Sequence, residues 1–430
     1  MSRVVLIVTL VIAGEMIFGL PFHTARFFRP TLLDVFGFTN TQLGDLFAVY
    51  GTTAMLAYFP GGALADRFSA RFLLTASLVA TAIGGLYMAT IPGAMPMAAL
   101  YGYWGITTIF LFWGALIRAT RDWGGTNAQG MAFGTLEAGR GLVAAGVASI
   151  CVWIFAGLMP DVASIASDQE RRAAFQTVIL SYSLVTLAAG ALTWFLVPVP
   201  EYNTKRRPNP LTGMAIVFRR PIVWAQAAVI VCAYCCYKGL DNYALYAVQV
   251  LGMNEIDAAR FATWGAYLRP IAAITAGLVA DRFDAAKTIG ILFFVLLLSY
   301  APLSFLAVDG FELTMIYVNI FVSFFAVFAL RGIYFALLEE NKTPVNVTGA
   351  AVGMVSLVGY TPEIFFAPIA GRILDATPGI GGHQNYFLFL AIIAAAGMLV
   401  VGWLLWLQSR GLDTLWPSSH SGRASIEINT

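Results

Sequence analysis

The chain is 430 residues long, 59% hydrophobic and only 11% charged, with a formal net charge of +2. A soluble domain is about one quarter charged, so this composition excludes an ordinary globule and points to an all-α, polytopic membrane protein. The near-neutral total also excludes a strongly basic nucleic-acid binder; the basic residues fall in short loops, where membrane topology accounts for them.

In chain order, apolar runs bounded by Gly, Pro, Asn or charges fall at 4–25, 43–64, 72–91, 97–118, 127–158, 173–196, 220–247, 257–280, 287–307, 312–337, 347–371 and 386–408. Their lengths suit a hydrocarbon layer about 30 Å thick and predict twelve transmembrane helices. The internal glycines and prolines do not argue against helix, because membrane helices tolerate both. The N-terminal run is broken by Glu15 and shows no cleavage pattern, so it reads as a retained first span. Cys151, Cys232, Cys235 and Cys236 all lie in apolar runs and read as packed thiols. His23, His383 and His420 are too scattered for a zinc site, so neither metal nor cofactor is expected. No nucleophile with a His base and no phosphate loop is found, so the chain does not read as an enzyme.

Cytoplasmic loops keep Lys and Arg. With the N-terminus inside, fifteen basic loop residues fall on the inner side and six on the outer, which predicts both termini cytoplasmic in a plasma membrane or bacterial inner membrane. The longest polar connection, VPEYNTKRRPNPLTG, then divides the chain into an N-terminal six-helix half (1–198), a cytoplasmic linker (199–218) and a C-terminal six-helix half (219–410). Residues 411–430, rich in Ser and short of apolar runs, read as a disordered cytoplasmic tail.

Each half repeats one charged mark after its second helix. GGALADRFSAR places Gly62, Asp66, Arg67 and Arg71 where GLVADRFDAAK places Gly277, Asp281, Arg282 and Lys287. The glycines are expected to let helices approach closely. An Asp at a helix C-terminus opposes the helix dipole and invites a partner, either the adjacent basic side chains or a helix N-terminus of the other half. Two structural repeats with a gate at this level suit alternating access.

These motifs and their spacing resemble the major facilitator superfamily over about residues 4–408, with Ser69 and Ala70 where that family usually carries Gly and Arg. The resemblance implies a monomeric twelve-helix carrier with a central cavity lined mainly by helices one, four, five, seven, eight, ten and eleven. HTARFFRPTLLDVFGFTNTQLGD further resembles sugar-phosphate and organic-anion permeases. That likeness implies an anion clamp between a basic residue late in helix one, Arg26 or Arg29, and Lys238 in helix seven.

Charges inside spans are expensive and mark function or pairing. At about 1.5 Å of rise per residue, Glu15, Arg140 and Arg269 fall near the middle of their helices. Glu137 lies one turn before Arg140, either as a permanent partner or as a proton carrier. Helix seven carries Lys238 and Asp241 among Tyr234, Tyr237, Tyr243 and Tyr246, with His23 and Arg26 expected opposite. Arg118 and Arg331, 213 positions apart, read as repeat-equivalent gating or structural groups paired with Glu137, Glu339 or Glu340. Glu363, flanked by Pro362 and Pro368, reads as a proton carrier or a partner of Arg269 or Lys238.

The resulting expectation is a secondary active transporter of a small organic anion, carboxylate or phosphorylated, coupled to protons or to a counter-anion. Arg140, Arg269, Lys238, Arg26, Tyr237 and Tyr243 are the substrate-binding candidates. Glu15, Glu137, Glu363 and Asp241 are the proton-coupling candidates. The alternatives are a proton antiporter of a cationic drug or amine, using the same acidic groups, and a non-transporting membrane sensor.

Overall fold

The computed structural model describes residues 2–125, 129–160, 166–199, 217–305, 313–341 and 345–411. Most of the expected linker and all but the first residue of the expected tail therefore lie outside the described residues. Among them the protein is entirely helical: α1 (Arg3–Met16), α2 (Gly19–Phe27), α3 (Arg29–Phe36), α4 (Asn40–Arg67), α5 (Ala70–Met88), α6 (Ala94–Gly124), α7 (Gln129–Leu158), α8 (Asp168–Leu196), α9 (Pro221–Gln249), α10 (Glu255–Ala266), α11 (Leu268–Phe283), α12 (Ala285–Phe305), α13 (Leu313–Ala336), α14 (Val345–Gly359), α15 (Pro362–Ala376) and α16 (Ile380–Ser409).

Local chemistry sets the boundaries. Thr39 with Gln42 caps α4, and Ser167 with Glu170 caps α8, each side chain satisfying a backbone N–H of the first turn. Gly37 ends α3 in the left-handed region at φ 65°, where a side chain would be strained. Ser69 caps α5 directly after the Asp66-Arg67 turn.

Nine described stretches are long and apolar enough to cross a bilayer, one of them Ala351–Ala376 across α14 and α15, and ten if the bent pair α1 and α2 is one span. The expected second and eighth spans fall short for a physical reason. Helix α4 has the length but carries Gln42, Asp45 and Pro60, and the eighth is broken at Tyr267 into α10 and α11, neither of them 18 residues long. Trp153, Phe195, Leu399 and Leu56 are each more than 70% exposed, an apolar outer surface suited to lipid.

The buried apolar residues separate along the chain. One core draws only on residues 217–407, a second only on residues 7–197, and a third on residues 20–182 joined by Ala244, Ala259, Ala262 and Ala266. The two groups of helices meet at the end away from the termini, where α4 lies directly on α15. A Cβ at Gly44 would sit 2.4 Å from the Ala367 carbonyl oxygen, and one at Gly51 2.5 Å from that of Glu363. Only glycine permits this backbone-to-backbone crossing.

Polar groups clasp the same end. Asp375, on the last turn of α15, accepts from the Asn40 and Thr41 backbone N–H groups at 3.2 and 2.7 Å, so it caps the N-terminus of α4 from the other group of helices. Arg372 pairs with Asp45 at 2.8 Å, and Glu255 takes Arg171 at 3.0 Å and the Thr31 hydroxyl at 3.0 Å. At the opposite end, among the described residues, Arg3 meets the Trp123 carbonyl, Arg71 the Val197 carbonyl, and Glu340 the Ala286 N–H and Gln408, each pair within one group.

Two expectations about these charged groups, those for the glycines and for Arg118, are corrected here. A Cβ at Gly62 or Gly277 would meet nothing within 4 Å; the tight glycine is Gly61, 3.0 Å from the Phe110 carbonyl oxygen. Arg71 donates to the Val197 carbonyl at 2.5 Å and so caps α8, a neighbouring helix end within reach of the charged turn; the Asp66 side chain lies outside the described residues. Arg118 does not reach Glu137: it donates to the Ala65 carbonyl and lies 4.0 Å from Asp122. Arg67, Asp281 and Arg282 are exposed, and Arg282 lies over the Phe283 ring at 5.6 Å.

Gly51→Val should force α4 and α15 apart. With nitroxide labels on cysteines introduced at the exposed positions 42 and 377, pulsed electron resonance should report a longer, broader distance in this variant than in the parent. An unchanged distribution would rule out the crossing as the closure of this end.

Candidate functional site

Helical irregularities gather around one cavity. Helix one bends by 44° between α1 and α2, where Phe18 leaves ideal geometry and a π turn spans Gly19–His23; Pro21, having no N–H, cannot complete a regular ladder there. A π segment spans Ile106–Trp113 in α6, a 3-10 turn spans Leu240–Asn242 in α9, and another spans Tyr334–Ala336 in α13. The helix breaks again at Tyr360 and Thr361, just before Pro362 of α15. Irregular backbone at membrane depth is tolerated where it is buried in protein or lines a water-filled space.

The cavity is open on one side and holds about 90 Å³ of space reachable by water. Glu15, His23, Arg26, Arg140, Lys238, Arg331 and Glu363 supply its charged and titratable wall; Tyr50, Tyr58, Tyr234, Tyr237 and Tyr360 supply hydroxyls; Phe18, Phe22, Met55, Ile109 and Trp113 supply apolar surface. The residues come from both groups of helices.

Four charges close into a ring, of which Glu15 and Arg140 line the cavity and Glu137 and Arg269 stand behind them. Glu15 accepts from Arg140 Nε at 2.9 Å and from Arg269 Nη1 at 3.1 Å, and Glu137 accepts from Arg140 Nη1 at 2.5 Å and from Arg269 Nη2 at 3.0 Å. Each carboxylate is thus shared by two guanidinium groups, and each guanidinium by two carboxylates. His23 Nε2 lies 3.2 Å from Glu15, while its Nδ1 is buried without a partner, the arrangement of a neutral ring donating through Nε2. Gly141 makes room for Arg269: a Cβ there would stand 3.0 Å from the arginine's Cγ.

A second cluster lies beside the first. Arg26 donates to Asp241 at 2.6 Å and to the Tyr237 hydroxyl at 2.8 Å, and Lys238 bridges Asp241 at 3.0 Å and Glu363 at 3.3 Å. Tyr234 donates to Glu363. The expected juxtaposition of Arg26 with the helix-seven group is therefore present, and Glu363 partners Lys238 rather than Arg269. Lys238 is also held over the rings of Phe22 and Phe47 at 4.5 and 4.7 Å.

Not every candidate reaches the cavity. Tyr243 is buried against Phe324 with its hydroxyl 2.8 Å from Ser323 Oγ, and Arg269 stands behind the wall in the ring. Arg331, sorted by sequence with the gate, instead lines the cavity. Its repeat-equivalent Arg118 caps carbonyls, whereas Arg331 lies 4.0 Å from the Tyr237 ring centroid and 4.0 Å from Glu137, with Nε and Nη1 buried and lacking a hydrogen-bond partner. The sequence reading missed the clasp of Asp375, Arg372 and Asp45; the glycines Gly44 and Gly51, seven residues apart and so on one helix face, were the available signal.

Glu15→Gln should destabilise the detergent-solubilised protein by about 3 kcal/mol, because it strands two buried guanidinium groups. Adding Arg269→Gln should restore much of that loss by rebalancing charge. Thermal unfolding of the two variants decides: equal midpoints for Glu15→Gln and the parent would show that the ring carries no stability.

The sequence profile of the Major Facilitator Superfamily matches residues 6–367. Among curated proteins of Escherichia coli, the inner membrane protein YqcE is 26% identical over 390 residues, covering 88% of this chain and 89% of its own length. The inner membrane protein YihN is 27% identical over 405 residues, 91% of this chain and 92% of its own. Among solved structures, a bacterial homologue of the human lysosomal transporter Spinster, inward-facing and occupied, superposes with a TM-score of 0.70 at 14% identity, covering 95% of this chain and 97% of that one. The nucleoside transporter NupG superposes with a TM-score of 0.71 at 12% identity, covering 94% and 100%. Identities this low speak to fold alone. On the profile match over most of its length, the chain belongs to the Major Facilitator Superfamily and is a multi-pass, non-enzymatic membrane transporter.

Proposed function

We propose that this protein carries a small organic anion across a bacterial inner membrane by alternating access, as a twelve-span carrier of two six-helix halves (1–198 and 219–410) with both termini cytoplasmic. The observation that carries the reading is the charge balance of the central site. Five basic side chains, Arg26, Arg140, Lys238, Arg269 and Arg331, stand there against four acidic ones, Glu15, Glu137, Asp241 and Glu363. Every one of those acids is already held by a cation, so the site has room for a further anion and none for an amine.

The separate cores and the closed far end support the two-half reading. With the termini inside, a molecule clasped at the Asp375 end and open at the Arg67 end is inward-facing. The exposed Arg67, Asp281 and Arg282 then belong to an inner gate that is parted, which Asp66 would help to close when the halves rock. The E. coli relatives described as inner membrane proteins support the location.

In this mechanism the ring of Glu15, Arg140, Glu137 and Arg269 acts as the hinge charge, since it joins α1 and α7 to α11 across the halves. Arg26, Lys238 and Tyr237 form the anion-side wall. Glu363 is the proton site: neutralising it releases Lys238 from one of its two anions and so loosens the tie between α9 and α15. Asp241 holds Lys238 in either state.

Uptake into proteoliposomes of labelled carboxylates, phosphate esters and amines, with and without a pH gradient, tests the proposal. Anion flux is expected, with loss of about tenfold or more in Arg140→Gln and Arg269→Gln, the scale set by removing a buried charged hydrogen bond. Amine counterflow without flux of any anion would sink it. Glu363→Gln should keep anion exchange while abolishing the response to a pH gradient; an intact gradient response would place the proton elsewhere.

A further inference from the structure

The structure assigns the substrate's charged group to Arg331, and with it a substrate that is an organic monocarboxylate; this rests on the anion reading above and narrows it. The first ground is pairing. Arg140 and Arg269 spend their donors on Glu15 and Glu137, and Arg26 spends two nitrogens on Asp241 and Tyr237. Arg331 alone among these arginines has two buried guanidinium nitrogens, Nε and Nη1, without a hydrogen-bond partner, and its nearest carboxylate is 4.0 Å away. A buried donor left unpaired costs free energy, so a guanidinium in this state favours an added acceptor such as a carboxylate oxygen.

The second ground is broken symmetry. Arg118, at the equivalent place in the first half, donates to the backbone carbonyls of Ala65 and Phe68, a purely structural use. Arg331 makes no such bond and projects into the cavity, packed on the Tyr237 ring at 4.0 Å and near Tyr234 at 6.0 Å. Cation–π contact fixes the guanidinium plane without consuming its N–H groups.

The third ground is charge. The ring and the Arg26–Asp241–Lys238–Glu363 cluster are each neutral as paired, and neutral His23 adds nothing, so Arg331 leaves the site with one excess positive charge. While the cavity is open, water screens that charge. Once it is occluded, an uncompensated charge is expensive, and a single negative charge removes the penalty. A monocarboxylate supplies one. A phosphate monoester carries nearly two at neutral pH and would leave the occluded site anionic. The tyrosine and phenylalanine wall offers hydroxyls and apolar surface for the remainder of the molecule.

The test uses the purified full-length chain and a fixed panel: lactate, gluconate, glucuronate and benzoate as monocarboxylates, succinate and glucose 6-phosphate as dianions, glucose as the neutral polyol and choline as the cation. At least one monocarboxylate should stabilise the protein against heat and drive counterflow in proteoliposomes, with the dianions weaker. Arg331→Gln should weaken that monocarboxylate by about tenfold or more, with Arg331→Lys between the two. Glu137→Gln raises the site's charge by one and should bring succinate up relative to the monocarboxylate; adding Arg331→Gln should return the preference to the monocarboxylate, a reversal that a merely structural Arg331 would not produce. Should Arg331→Gln not survive purification, Arg331→Lys and Glu137→Gln decide by the same readings. The assignment is overturned by unchanged monocarboxylate affinity in the Arg331 variants, by dianions binding as well as monocarboxylates to the parent, or by silence of every monocarboxylate. Glucose 6-phosphate binding alone overturns this inference but leaves anion transport standing; choline binding without any anion overturns both.

Discussion

The cost of holding a charge away from water governs this molecule. A lone guanidinium or carboxylate at membrane depth is costly, and a pair recovers that cost only with good geometry. Glu15, Glu137, Arg140 and Arg269 meet the requirement by closing into a ring in which every group has two partners. Because Arg269 comes from α11 and the other three from α1 and α7, the same ring ties the two groups of helices together. Bent helix one, the tolerance of Gly141 for the Arg269 stem, and the position of the cavity beside the ring all follow from accommodating it.

Closure of the far end is a separate solution to a separate problem. Two helices can cross backbone to backbone only where neither carries a side chain at the contact, and Gly44 and Gly51 provide that on α4. The four N–H groups at the start of α4 then need acceptors, and Asp375 from α15 serves. A carboxylate docked on a helix N-terminus of the other half is the arrangement that dipole reasoning anticipates for the Asp66 end, found here at the opposite end of the molecule.

Much of the fold was legible from composition and periodicity. Each of the twelve apolar segments has a helical counterpart, and the positions of Arg26 and Asp241 on facing helices followed from their depth. The less apolar character of α4 was less evident, whereas the break at Tyr267 has its signal in Pro270, which lacks an N–H for the ladder and crowds the preceding turn. Within the site, Glu137 with Arg140 was readable, since a spacing of three residues on a helix fixes them on one face. Arg269 with Glu15 was not, because their 254 positions of separation carry no local signal.

What the sequence determined by itself is the solvent, the helical class, the repeated charge mark and the set of charges that had to find partners. Hydropathy, helical period and dielectric cost act locally or on totals, and a sequence displays both. What only the tertiary structure decided is who pairs with whom. Arg118 and Arg331 look alike in sequence, yet one caps the Ala65 and Phe68 carbonyls and the other faces a cavity with nitrogens unspent. Both are arginines near the same end of equivalent helices; the difference lies in whether a neighbouring helix presents carbonyl oxygens within reach, and that is a property of packing.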